Sequence, residues 1–77
     1  MTGIEIYRKV LKEDLERQED FLSKRLPNKS YITARIQVMG GVAMGLRAAG
    51  MITEEEETML SWEATEAFRN LILKYYK

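Results

Sequence analysis

Cysteine and histidine are both absent from this 77-residue chain. Their absence excludes a disulfide, the usual zinc, haem and iron–sulfur ligand sets, and any Ser–His or Cys–His nucleophile system. Proline occurs once, at Pro27. Long hydrophobic runs are missing too. The longest weakly polar stretch, 36–52, carries Gln37, Arg47 and several glycines, and it falls short of the ~20 apolar residues that a membrane span needs. The N-terminal stretch is charged and periodic, unlike a secretory signal. An excess of one charge is also lacking, with 12 Lys plus Arg against 12 Asp plus Glu. Tight nucleic-acid binders usually show a basic excess, because phosphate contacts supply most of their affinity. No phosphate loop of the Walker type and no dinucleotide-binding Gly-x-Gly-x-x-Gly is present, and Met39-Gly40-Gly41 sits within a helical pattern instead of following a strand. These absences point to a soluble, cytoplasmic, non-enzymatic protein with no cofactor, no metal and no small-molecule substrate.

What is present is helical periodicity in three blocks. The expectation is one all-α domain over 1–77, either a small three-helix bundle or a helical hairpin plus a flanking helix, running up-down-up with short turns. Its helices should cover about 3–26, 30–50 and 53–76. In the first, Ile4, Tyr7, Leu11, Leu15, Leu22 and Leu26 fall on one stripe, edged by Val10 and Phe21. Gln18 interrupts that stripe, so packing should thin there. Thr2 with Glu5 has capping-box spacing. Leu26 precedes proline and should end the helix, and Ser30 should cap the next.

The central helix carries two unlike faces. Ile32, Ile36, Met39, Val42, Ala43 and Leu46 form a bulky core stripe, whereas Ala34, Gly41, Gly45 and Ala48 form a small one that suits close helix packing. Glycine inside a helix costs about 1 kcal/mol relative to alanine, so Gly40, Gly41 and Gly45 call for compensation. Met39, Met44 and Met51 are read as core fillers, and Tyr31 as a cover for one end of the bundle. Gly50 should stop the helix in a left-handed conformation. Thr53 with Glu56 is a second capping box, and Glu54 to Glu57 place negative charge where the helix dipole favours it.

In the third helix, Leu60, Ala64, Ala67, Phe68, Leu71 and Tyr75 form the core stripe, with Ile72 at its edge. A second line holds Met59, Trp62, Leu73 and Tyr76, with Glu66 and Arg69 between. A three-helix domain rarely covers both lines. Trp and Tyr are favoured interface anchors, so this second line is the candidate protein-binding surface. The expected function is a protein-interaction module, a regulator or inhibitor of bacterial, phage or mobile-element type, acting by stoichiometric binding. Its partner is another protein, and a homodimer is compatible with the same features. The alternative is a DNA-binding or DNA-associated helical domain using the basic first turn, Lys24, Arg25, Lys29 and Arg35. The four glutamates opening the third helix weigh against it.

Overall fold

In a computed structural model the chain is an all-α three-helix bundle: α1 (Gly3–Ser23), α2 (Lys29–Ala48) and α3 (Glu54–Tyr75). The structure describes residues 1–24 and 29–75, the side chain of Lys29 apart. Leu26 and Pro27 lie outside the described residues.

Helix ends follow the caps. Thr2 is in extended conformation and its hydroxyl accepts the Glu5 N–H at 3.1 Å. At Thr53 the box closes reciprocally: the Glu56 N–H donates to Thr53 Oγ1 at 3.1 Å, and the Thr53 N–H donates to Glu56 Oε1 at 2.8 Å. Gly50 has φ +75°. Its N–H donates to the Arg47 carbonyl at 3.0 Å, and the Met51 N–H donates to the Leu46 carbonyl at 2.9 Å. These two bonds are the Schellman pattern that satisfies the last carbonyls of a helix. One cap differs from expectation. α2 has already begun at Lys29, so Ser30 lies inside its first turn and does not cap it.

Three cross-links record how the helices run. Arg8 pairs with Glu63 and Lys74 with Glu19, both across a sequence separation of 55, so α1 and α3 are parallel. Arg47 pairs with Glu57 across the tight α2–α3 turn, which makes those two antiparallel. α2 and α3 pack most closely, and α1 lies against both.

The core gathers Tyr7, Leu11 and Leu22 from α1, Ile32, Met39 and Ala43 from α2, and Leu60, Ala64, Phe68, Leu71 and Ile72 from α3, with Ile52 from the turn. Ile4, Val10, Leu15, Ile36, Val42 and Leu46 pack at its margin. Several readings of the sequence need correcting. Packing does not thin at Gln18, which is buried together with Asp14. Asp14 and Gln18 continue the line of Tyr7, Leu11 and Leu22 at helical spacing, and Arg35 supplies the charge that lets Asp14 lie inside. Tyr75 is exposed, with its hydroxyl donating to Glu19 Oε1 at 3.3 Å, and Ile72 takes the core place. Met39 fills the core, but Met44 and Met51 are exposed. Gly3 is buried at the entry of α1. A Cβ there would collide with the Met51 carbonyl oxygen and stand 2.7 Å from Ile52 Cγ2, so only glycine lets α1 meet the α2–α3 turn this closely.

Candidate functional site

The surface proposed from sequence lies on the side of α3 turned away from the core. Trp62 is 63% exposed, Leu73 55% and Met59 41%. Met59 and Trp62 are one turn apart and adjoin. Between Trp62 and Leu73 stand Glu66, half-buried, and Arg69, exposed, whose charges approach to 3.8 Å. Tyr76 lies outside the described residues. The structure therefore brings together Met59 and Trp62, interposes a charge pair, and resumes with Leu73. None of the three apolar side chains lies beneath α1.

Beside the indole is a shallow, open depression lined by Glu57, Thr58, Ser61, Trp62 and Thr65. Its polar groups are largely engaged within the chain. Thr58 Oγ1 donates to the Glu54 carbonyl at 3.2 Å, Thr65 Oγ1 donates to the Ser61 carbonyl at 2.9 Å, and Glu57 accepts from Arg47 Nε at 2.5 Å. A surface of this kind offers the flat apolar indole more than free hydrogen-bonding capacity. Among the described residues no three carboxylates converge as a metal site would require.

The small stripe of α2 is not packed within the chain. Ala34, Gly41, Gly45 and Ala48 are all exposed, and a Cβ added at Gly41 or Gly45 would meet nothing within 4 Å. Neither α1 nor α3 makes the close approach that these residues permit.

The basic set is only partly available. Arg35 is turned onto Asp14 in a bidentate pair, with Nη2 to Oδ1 2.7 Å and Nε to Oδ2 3.1 Å. The hydrogen bonds to Asp14 raise the Arg35 pKa above its ordinary value, against the opposing effect of burial. Lys24 is exposed and pairs with Asp20 at 3.1 Å on its own helix. Arg25 and the Lys29 side chain lie outside the described residues. An arginine committed to a buried carboxylate is a poor phosphate contact, since leaving it would strand the carboxylate charge. This weakens the DNA-contact alternative at Arg35.

Sequence reasoning missed Asp14 and Gly3, and placed Gln18 on the stripe but not in the core. The signal for Asp14 was positional: it falls on the α1 line between Leu11 and Leu22, where an apolar-only stripe discards it. No local signal marked Gly3, because its constraint comes from residues 51 and 52. Comparison of the chain with protein-family models, with curated proteins and with solved structures gives no match.

Proposed function

We propose that this chain is a small protein-interaction module, a non-enzymatic regulator or inhibitor that acts by stoichiometric binding of another protein through the outward side of α3. The observation that carries the reading is Trp62. A large, rigid aromatic side chain is two-thirds exposed on a helix whose opposite side already fills the core. Aromatic anchors of this kind dominate binding energy at protein interfaces. Met59 extends the apolar contact, Glu66 and Arg69 supply a polar rim, and Leu73 gives a second anchor about 16 Å along the helix.

Affinity capture from the native host, with the wild-type chain and Trp62→Ala side by side, tests the reading. The wild type should retain a stoichiometric protein that Trp62→Ala loses, with a ~10-fold or greater fall in affinity. Because Trp62 is exposed, the variant should unfold within about 0.5 kcal/mol of the wild type. Retention of the same partner by Trp62→Ala would remove this surface from the binding role.

A further inference from the structure

The charge of the chain is balanced in total but not in place. Between positions 54 and 68 there are six glutamates and no lysine or arginine, and Trp62 stands among them. The helix dipole accounts for the first turn only. Glu63 and Glu66 lie well inside α3. Three of the six are occupied within the chain: Glu56 closes the cap on Thr53, Glu57 takes Arg47 and Glu63 takes Arg8. Glu54 and Glu55 are exposed and have no ion-pair partner among the described residues. Glu66 has Arg69 alone, at 3.8 Å and open to solvent, a pairing that holds charge weakly. At about 100° per residue, Glu55 and Glu66 fall within roughly 40° of Trp62 around the helix. One lies about 10 Å before it along the axis and the other about 6 Å beyond. The exposed indole therefore has an uncommitted carboxylate on either side.

From this we infer that the occupant of the α3 surface is a basic segment of a partner protein, whose Arg or Lys lies on the Trp62 indole between Glu55 and Glu66 while an apolar neighbour covers Met59. The inference rests on the α3 surface being the binding surface, and it adds the chemistry of what binds there. A cation is drawn to an aromatic face by the ring quadrupole, and indole is the strongest of the side-chain rings in this respect. Both carboxylates add attraction of the same sign. The same charges turn away the other large classes of occupant. Nucleic acid brings phosphate, and a membrane surface that attracts proteins electrostatically is anionic. Beyond Glu66 the sign reverses at Arg69. The partner should therefore place an acidic residue beside its basic anchor, and that order sets the direction in which it lies along α3. Charge order of this kind gives specificity more than raw affinity.

A library of random short peptides displayed on phage, selected against the full chain, tests this directly. Peptides that need Trp62 for binding should carry Arg or Lys next to an apolar residue. A labelled representative, followed by fluorescence anisotropy, should lose affinity at least ~10-fold when Glu55→Gln and Glu66→Gln are combined. Raising salt from about 50 to about 500 mM should weaken it by a similar factor. Its binding should also shift the Trp62 emission to the blue. Neither carboxylate is in the core, so the double variant should melt within about 3 °C of the wild type. Peptides that need Trp62 but are neutral or acidic overturn the inference and leave the α3 surface standing. So does a basic peptide indifferent to the double variant. A blue shift of Trp62 that grows with the chain's own concentration, from about 10 μM to about 1 mM, assigns the surface to a second copy and overturns it too. If no selected peptide needs Trp62, the α3 surface itself falls, and this inference with it.

Discussion

Tyr7 is buried in the middle of the core, and its hydroxyl has no hydrogen-bond partner among the described residues. Burial, with a smaller contribution from the Glu63 charge, pushes its pKa up to about 12. An unfolded tyrosine ionises near 10, so the folded state holds this proton longer. The Tyr7 contribution is therefore intact below about pH 10 and is lost as pH rises towards 12, by about 2–3 kcal/mol in all. Tyr7→Phe should be neutral or slightly stabilising at pH 7, since it removes an unpaired hydroxyl. It should also flatten the alkaline fall in a series of urea titrations between pH 8 and 12. At Gly3 the constraint is one of space. Gly3→Ala should destabilise by about 1–3 kcal/mol, because the atom it meets is backbone and cannot swing aside. Gly41→Ala is the same chemical change in open space, and it should stabilise by up to about 1 kcal/mol in dilute solution. Opposite shifts of the two urea midpoints are the expected outcome.

Among the helices, α1 is the most weakly held. It packs less closely than α2 and α3 pack together. Its buried line spends places on Gly3, Asp14 and Gln18, where the other helices use apolar side chains. Its cross-links to α3, Arg8–Glu63 and Lys74–Glu19, are exposed and so weakly stabilising. Native-state hydrogen exchange should show α1 amides opening at lower free energy than those around Leu60–Phe68. Equal protection of all three helices would contradict this ordering. The same contrast explains what could be read in the sequence. Caps are local chemistry, so Thr2, Gly50 and the Thr53–Glu56 box could be placed from spacing alone. The stripes of α2 and α3 are apolar and periodic, and their buried centres, from Ile32 to Ala43 and from Leu60 to Leu71, follow that period. Three departures depend on a second segment: Arg35 admitting Asp14, the 51–52 turn pressing on Gly3, and the rotation of α3 that buries Ile72 and exposes Tyr75. The exposed line of Met59, Trp62 and Leu73 was legible because a single helix cannot bury two separate stripes in so small a bundle.

For the molecule as a whole, shape and surface agree. It extends 38 × 19 × 15 Å, and its radius of gyration is 12.8 Å, against about 11.5 Å for a typical compact chain of this length. Its accessible surface of 5215 Å2 also exceeds the roughly 4,900 Å2 usual for its mass. The bundle is slightly elongated and exposes large apolar side chains on two of its three helices, α2 and α3. Among the described residues no helix is long and apolar enough to cross a membrane. The exposed indole has one more consequence. Trp62 is the chain's single tryptophan, and it already stands in water, so its fluorescence is nearly blind to unfolding. The emission maximum should scarcely move through a denaturant transition that circular dichroism records in full. A blue shift in native buffer would instead report that something has covered α3. The chain thus carries its own optical probe for occupancy, without any label.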